Sequence, residues 1–575
     1  MIRSSSRVRA VGALVACLAV ASTSAPLAQS PVPPAARRAP ARPGEPEIRL
    51  VLLIAADQFR SDYLTRFGPP TAGFKTLMTR GALFTDAHLE HGVTVTAVGH
   101  STMLTGATPS VSGIIDNAWY ERSTHTNVES ITDKDATIVG GDGAVGVGAS
   151  PRRLLVTTLG DQIKLASAAP KGSPEAPRVI GMSLKDRSAI LPGGHAADGA
   201  YFFRGGRFVT SSYYAATMPA WVDEVNARKL PETYAGKRWE YAGGSREYPA
   251  ESGAKLYSAV TASPAGNELL VALAKAALEH ERLGQRGVTD VLTVSFSSND
   301  AVGHTHGPES PEVRDMTRQT DRQIQQLLDE VDKRVGLGRT LVAFTTDHGV
   351  APLPETAIAL KLPAGRFKSQ PVADAIEAAL DGAFGDETWI ERIQLPHVYL
   401  DLARLAARKV DPVDARRVAA EAIARVPHVA RVYTRDAILA GQVPADAISA
   451  RVTRAFHRDR SGDLHVVLDP LWTTAGAGTS HGTPYSYDSH IPLIIMGPGV
   501  TPGTYHEHAA LNDLAPTLAA LVGVEPPSGS SGRILHEALS ARVRGLRPDA
   551  GHGAATGTAA SPATGARSPS RVVAP

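Results

Sequence analysis

Five short runs of nearly continuous apolar residues, separated by stretches with helical periodicity, constrain this fold more than any other feature. Strands that are apolar on both faces are typical of a parallel sheet covered by helices on both sides. The runs predict strands at Leu50–Ala56, Arg178–Met182, Val291–Phe296, Leu341–Thr346 and Ile491–Met496. The periodic stretches predict helices at Asn267–Leu283, Met316–Val335, Val372–Leu380, Val413–Ala424 and Leu514–Leu521. This alternation predicts an α/β sandwich with a mainly parallel central sheet flanked by helices.

Two stretches interrupt the alternation. A segment near 195–260 is rich in Tyr, Gly and Arg, and a second near 394–470 carries short strand-like pieces such as Val398–Leu400. We interpret both as insertions laid over the core. The predicted globular domain therefore spans 48–546, a length that large α/β enzymes often arrange around one sheet.

The two ends of the chain differ in composition from the globular part. Residues 1–28 have basic, apolar and small-residue sections in the order of a signal peptide, and 29–47 form a Pro/Ala-rich linker. Gly, Ala, Ser, Thr and Pro dominate 547–575, which predicts a disordered tail. We expect an exported protein, periplasmic or secreted, with no transmembrane segment in the mature chain. The one cysteine, Cys17, ends the lipobox-like Leu14–Cys17, which leaves a lipid anchor as the alternative.

The charge balance excludes one class of partner. Lys plus Arg (59) nearly equal Asp plus Glu (57) among 575 residues, so the chain has no bias toward polyanions. We therefore expect no nucleic acid partner. We expect a monomer, with an oligomer as the alternative.

Carboxylates and histidines follow the predicted strands, at the sheet edge where sites of open α/β folds form. Each alone has an ordinary explanation as a turn residue, a cap or a local hydrogen bond. Together they supply the carboxylate oxygens and imidazole nitrogens that zinc accepts as ligands. These residues are Asp57, Asp300, His304, Asp347, His348 and His481.

The stretch His91–Gly106 predicts a turn that opens a helix, with Thr96 in the position of a cap. A hydroxyl there lies near unpaired backbone N–H groups and the positive end of the helix dipole, which favours an anion beside it. Thr at a helix start is usually only a cap. Thr94 is a rival position for a reactive hydroxyl, and the residues alone do not choose between the two.

Taken together, the motifs resemble those of the alkaline phosphatase superfamily, and most closely the exported, phosphate-irrepressible alkaline phosphatases with a threonine nucleophile. The resemblance runs from about Leu50 to Ile534 and is specific because the pieces occur in this order. The pieces are Ala56–Tyr63, Thr94–His100, Asn117–Tyr120, Ser183–Ser188, Asn299–His304, Thr346–Gly349, Thr479–His481, Tyr487–Pro492 and Asp513–Thr517.

The resemblance implies two zinc ions per chain. One would be held by Asp300, His304 and His481. The other would be held by Asp57, Asp347, His348 and the Thr96 oxygen.

The resemblance also implies hydrolysis of small phosphate monoesters through a phosphothreonine at Thr96. Asn117, Lys185 and Arg187 match the residues that bind the phosphoryl oxygens. Lys185 and Arg187 lie two residues apart, which would place both side chains on one side of an extended chain. One departure is Asp116, where the family more usually has glycine, and we expect this carboxylate to point outward.

Two alternatives stay open. The first is a nucleotide pyrophosphatase or phosphodiesterase of the same superfamily, although the cationic pair Lys185 and Arg187 favours the more highly charged monoesters. The second, from another class, is a catalytically inactive exported protein that binds metal or phosphate. A sulfatase is not supported, because Thr96–Gly99 lacks the Cys/Ser-x-Pro-x-Arg motif from which formylglycine is made.

Overall fold

The computed structural model describes residues 48–141, 147–170 and 172–544. Its centre is a mixed sheet to which these residues contribute eleven strands. In spatial order the strands are Gly503–Tyr505, Gly81–Phe84, Leu493–Met496, Thr340–Thr345, Leu50–Ala56, Asp290–Phe296, Val179–Ser183, Gly199–Arg204, Arg207–Ser211, Thr132–Val139 and Val147–Ala149.

The middle of the sheet is parallel and its flanks are largely antiparallel. Five adjacent strands, from Thr340–Thr345 across to Gly199–Arg204, run in one direction. This confirms the predicted α/β fold and its parallel core. The predicted strand Ile491–Met496 begins at Leu493 and runs antiparallel to both neighbours. The carboxyl ends of the parallel strands therefore meet at one edge.

Helices cover both faces of the sheet, and each of the five predicted helices is present with ends shifted by a few residues. The α-helices are Tyr63–Arg66, Gly73–Arg80, Thr96–Thr105, Pro109–Ser112, Leu159–Ser167, Asp186–Gly193, Ala220–Ala227, Ala254–Thr261, Pro264–His280, Ser298–His306, Pro311–Arg334, Pro354–Ala359, Gln370–Phe384, Leu402–Ala407, Pro412–Ile423, Arg435–Leu439, Ala447–Ala455, Ser486–Ser489, Leu514–Val522 and Ala541–Arg544. Short 3₁₀ turns lie at Leu230–Tyr234, Leu337–Arg339, Leu511–Asp513 and His536–Ala538.

Alternate residues of the first strand enter two separate apolar cores. Leu50, Leu52 and Ile54 pack on the face covered by the long helices Pro264–His280 and Pro311–Arg334. The odd-numbered residues of the strand pack on the opposite face, among them Val51 with the helix Thr96–Thr105. All seven residues of this strand are buried because both faces are covered.

The two segments predicted as insertions are placed differently. Gly199–Arg204 and Arg207–Ser211 join the main sheet, and Trp221 behind them is buried in one of its cores. The second segment forms a lobe around a four-stranded sheet made of Ile390–Gln394, His397–Leu400, Leu464–Leu468 and Val429–Thr434. This lobe has an apolar core of its own.

Three smaller pairings complete the strands, at Ala118–Glu121 with Thr126–Glu129, Arg238–Tyr241 with Gly244–Glu247, and Gly365–Arg366 with Trp472–Thr473. A fourth joins Ala87–His88 to Ala509–Ala510. The predicted signal peptide, linker and tail lie outside the described residues. Among the residues described, no helix combines the length and apolar character needed to cross a membrane.

Candidate active site

The first group of metal-ligating side chains lies at the ends of two adjacent parallel strands. Asp57 follows Leu50–Ala56, and Asp347 with His348 follows Thr340–Thr345. One ligand atom from each lies within 4.8 Å of the others, and all three residues are fully buried. The strand register that places Ala55 opposite Thr345 brings these residues together.

The second group lies beside the first. Asp300 and His304 lie one turn apart on the helix Ser298–His306, which follows the strand Asp290–Phe296. His481 arrives from a distant loop, and its ring stacks on that of His348 with centroids 3.5 Å apart. Asp300 Oδ1 lies 3.1 Å from His304 Nε2 and 3.6 Å from His481 Nε2. These are the two groups with metal-ligand geometry among the described residues.

Backbone carbonyls orient the three histidines. His304 Nδ1 lies 2.7 Å from Thr479 O, His481 Nδ1 lies 2.7 Å from Thr94 O, and His348 Nδ1 lies 3.0 Å from Gly349 O. Because a carbonyl oxygen only accepts hydrogen bonds, each neutral ring carries its hydrogen on Nδ1. In a neutral ring, Nε2 then carries no hydrogen, and its lone pair is available to a metal ion. Each Nε2 also faces a carboxylate. Metal-ligating histidines are held in this way.

The negative charge of the buried carboxylates in the site is not fully balanced by positive charge. Asp57 Oδ1 and His348 Nε2 are buried and have no hydrogen-bond partner in the described structure. Burial, followed by the charge of Asp347, raises the pKa of Asp57 well above its ordinary value. Burial lowers the pKa of His348 to about 3, so its ring is neutral. Three buried carboxylates and three imidazole nitrogens supply ligand types that divalent cations such as zinc accept.

Lys185 joins the two groups. Its Nζ lies 2.7 Å from Asp57 Oδ2, 2.7 Å from Asp300 Oδ2 and 3.4 Å from Thr96 Oγ1. Although burial would lower the pKa of Lys185, Asp300 and Asp57 raise it above its ordinary value, so the ammonium is charged. A cationic group is thus fixed between both carboxylate sets and beside the threonine hydroxyl.

Thr96 is the first residue of its helix, and the predicted cap position is wrong. Val95 occupies the N-cap, and Asn117 Oδ1 accepts the hydrogen bond from Ala97 N at 2.8 Å. The Thr96 hydroxyl is therefore not used as a cap and faces Lys185. A Cβ at Gly99 would lie 2.2 Å from Asp347 O, so glycine is needed for this helix to pack directly on that strand end.

The rival hydroxyl of Thr94 is engaged in the loop. It donates to Thr483 O at 2.9 Å and accepts from Gly482 N at 3.1 Å. Asp488 braces the same loop, because its Oδ2 accepts from Thr483 N and from Thr483 Oγ1. These bonds fix the loop that carries His481 and leave Thr96 as the hydroxyl that faces the charged groups.

Arg187 and Asp116 differ from their predicted geometry. Lys185 is extended, but the helix begins at Asp186, so Arg187 lies in its first turn and the two side chains do not share one extended strand. Asp116 does not point outward: it lines a cavity that also reaches His481. Burial raises the pKa of Asp116 to about 7, although hydrogen bonds from the backbone of Asn117 and Ala118 and the charge of Arg187 oppose it. The backbone N–H of Asn117 donates to Asp116 Oδ1 at 2.6 Å, which holds the carboxyl against the chain.

Two residues of the site were missed by sequence reasoning. Gln58 donates from its backbone N to Asp347 Oδ1 and from Nε2 to Asp300 Oδ1. His100 Nδ1 lies 2.9 Å from Thr96 O in its own helix and 3.2 Å from Asp347 Oδ2, and its Nε2 lies 2.7 Å from Ser295 Oγ. His100 lies one helical turn after Thr96, and that spacing was the available signal.

Known proteins resemble this chain over most of its length. The alkaline phosphatase PafA of Elizabethkingia meningoseptica is 33% identical over 526 residues, which cover 86% of this chain and 95% of PafA. The alkaline phosphatase PhoV of Synechococcus elongatus is 33% identical over 524 residues, covering 85% and 93%. The crystal structure of wild-type PafA superposes with a TM-score of 0.79 at 32% identity, covering 86% of this chain and 99% of PafA.

A solved PafA variant with a TM-score of 0.77 carries changes at one threonine, one asparagine, one lysine and one arginine. The sequence model described as type I phosphodiesterase / nucleotide pyrophosphatase matches residues 51–490. The chain therefore belongs to the type I phosphodiesterase / nucleotide pyrophosphatase family of the alkaline phosphatase superfamily, among its PafA-like members.

Proposed function

We propose that this protein is a zinc-dependent alkaline phosphatase that hydrolyses small phosphate monoesters through a phosphothreonine at Thr96. The observation that carries the proposal is the convergence of both ligand groups on Lys185, whose ammonium also contacts the Thr96 hydroxyl. Relatives that cover almost the whole chain are named alkaline phosphatases.

Two divalent ions fit the donor sets. Asp57, Asp347, His348 and the Thr96 oxygen would hold one. Asp300, His304 and His481 would hold the other. Such ions would supply the positive charge that activates a hydroxyl nucleophile and stabilises the oxygen of a leaving group.

The chain's own side chains would position the phosphoryl group. Asn117 Oδ1 accepts from Ala97 N, so its Nδ2 hydrogens are left for a phosphoryl oxygen. Arg187 Nε is buried without a hydrogen-bond partner in the described structure and offers a planar fork for two oxygens. Lys185 adds a point charge. Phosphoryl transfer depends mainly on such positioning and charge.

The reaction would proceed in two displacements. The Thr96 oxygen loses its proton and bonds to phosphorus as the ester P–O bond breaks, and the departing alcohol takes up a proton. Water then attacks the phosphothreonine, and inorganic phosphate leaves while Thr96 regains its proton. Between the steps the phosphoryl oxygens stay with Asn117, Lys185 and Arg187.

Metal analysis combined with turnover tests this proposal. We expect about two equivalents of zinc per chain, loss of phosphatase activity on chelation and recovery when zinc is restored. Thr96→Ala should keep both metals and lose turnover by at least roughly 1,000-fold, whereas Thr94→Ala, which removes only two hydrogen bonds of the His481 loop, should lose far less. Bound zinc without hydrolysis in the wild type would instead indicate the inactive binding protein.

A substrate pair separates monoesterase from diesterase. The kcat/KM for an aryl phosphate should exceed that for the corresponding bis-aryl diester, because a dianionic monoester gains more from Lys185 and Arg187. A preference for the diester would overturn the proposed substrate class.

A further inference from the structure

A cavity of about 170 Å³ lies beside the proposed catalytic centre. His481 and Asp116 line it. The lobe around the four-stranded sheet supplies Pro396 and Leu468 to its wall. The cavity therefore connects the side of the centre that carries His481 with the lobe, and it is built partly from each.

The walls of the cavity combine apolar and polar side chains. Val95, Pro396, Val466 and Leu468 supply aliphatic surface, and Trp472 supplies an aromatic ring. His428 stacks on that ring with centroids 3.4 Å apart, which fixes its orientation. An apolar wall favours the apolar part of a ligand, because binding removes apolar surface from water.

The size of the cavity is sufficient for a small ring. An apolar cavity of about 150 Å³ is large enough to hold benzene. The present volume of about 170 Å³ therefore has room for one six-membered ring.

The polar groups of the cavity set a charge requirement. Asp116 lines the cavity, and its ionised carboxylate would repel a second anionic group on the substrate. His465 is 2% exposed, and its Nδ1 has no hydrogen-bond partner in the part of the chain described. This imidazole is neutral, since burial lowers its pKa well below the ordinary value. It offers one polar contact without a charge.

We propose that this cavity is the subsite for the alcohol portion of the monoester, and that it takes a neutral alcohol with a single aromatic ring. The inference rests on the proposed function: because the attacking Thr96 oxygen belongs to the group of Asp57, the leaving oxygen would lie beside the other group, which contains His481. His481 both belongs to that group and lines the cavity. An ester oxygen beside this group would direct its organic substituent toward Trp472.

Benzyl phosphate and ethyl phosphate form the test pair, because their alcohols are similar in acidity and differ in the ring. We expect the wild-type kcat/KM for benzyl phosphate to exceed that for ethyl phosphate by at least roughly tenfold. Trp472→Ala should reduce this ratio by roughly tenfold by removing the aromatic wall. Trp472→Phe is the matched control, because it keeps an aromatic ring, and it should retain most of the wild-type ratio.

A second variant tests the same subsite from its exposed rim. Thr474 lines the cavity and is exposed, so Thr474→Trp should fold normally and obstruct the entrance. We expect it to lower the benzyl-to-ethyl ratio as Trp472→Ala does. Equal kcat/KM values for both esters in the wild type would contradict the proposed subsite. Equal losses of kcat/KM on both esters in the two variants would also contradict it.

Binding of the non-hydrolysable analogues separates this inference from the proposed function. Calorimetry should show tighter binding of benzylphosphonate than of ethylphosphonate to the zinc-loaded wild type, and a smaller difference in Trp472→Ala. If neither ester is hydrolysed, the proposed function is wrong. The binding affinities of the two phosphonates would still test the subsite. Equal affinity for both phosphonates would contradict it.

Discussion

The side-chain amide of Gln58 donates to Asp300 Oδ1 at 2.8 Å. The same residue donates from its backbone N to Asp347 Oδ1 at 3.1 Å, so one residue ties the two ligand groups together. Gln58 adopts a φ of +58°, a conformation that non-glycine residues rarely take. This strained conformation lets its backbone and its side chain reach different carboxylates.

We predict that Gln58→Ala weakens metal binding by roughly 10- to 100-fold, the usual cost of losing a partner that orients a ligand. Titration with a competing chelator, followed by metal analysis, measures this. Gly303→Ala should act similarly, because its Cβ would lie 1.8 Å from Gln58 Oε1 and displace the amide. Gln370→Ala, at an exposed glutamine, is the control. Unchanged metal affinity in Gln58→Ala would contradict the linking role.

Arg187→Ala should lower kcat/KM for monoesters by roughly 10- to 100-fold, since a hydrogen bond to a charged group is worth about 1.5–3 kcal/mol. The loss on diesters should be smaller, because a diester presents less charge. Parallel assays on an aryl phosphate and its bis-aryl diester measure both losses. Arg204→Ala, at an arginine that pairs with Asp186, is the matched control. Equal losses on both esters would count against a charge-pairing role for Arg187.

The carboxyl of Asp116 should make anion binding depend on pH. Burial raises its pKa to about 7, so the side chain gains negative charge beside Arg187 as the pH rises through neutrality. We predict that Asp116→Asn tightens inhibition by inorganic phosphate at pH 8.5 by roughly several-fold and has little effect at pH 5.5. Taking the ratio of the two inhibition constants cancels the titration of phosphate itself. A ratio independent of pH would contradict the prediction.

A buried histidine in the lobe should make folding sensitive to acid. Burial lowers the pKa of His397 to about 4, below the value of about 6.5 in an unfolded chain. The unfolded chain then binds more protons between these values, so His397 costs stability as the pH falls from about 6.5 to about 4, by about 3 kcal/mol at most. We predict that urea unfolding of His397→Leu is less sensitive to acid over this range than that of the wild type. Parallel pH profiles would show that His397 is not responsible.

The strands and helices were predictable because their apolar spacing is local. Leu50–Ala56 is buried on both faces, and the sequence shows this as an unbroken apolar run. The direction of Leu493–Met496 was not predictable, since an apolar run is the same in either orientation. Gly199–Arg204 was assigned to an insertion because its Tyr and Gly content masks a strand that pairs with Val179–Ser183.

The position of a site residue was predictable where its neighbours are close to it in sequence. It was less predictable where contacts between distant segments determine the geometry. Asp300 and His304 are one helical turn apart, and their proximity follows from the helix. The orientation of Asp116 was not predictable, because it depends on a cavity completed by the lobe. The role of Gln58 depends on a backbone conformation that a glutamine rarely adopts, so its residue type gave no signal.

A crystal structure of the enzyme with zinc and orthovanadate, with anomalous maps for both metals, tests the central claim most directly. We predict two zinc peaks, one among Asp57, Asp347 and His348 and one among Asp300, His304 and His481. We predict vanadium bonded to Thr96 Oγ1, with Arg187 and Asn117 on its equatorial oxygens. Vanadium bonded to another side chain, or a Thr96 hydroxyl remote from both zinc peaks, would contradict the two-metal threonine mechanism.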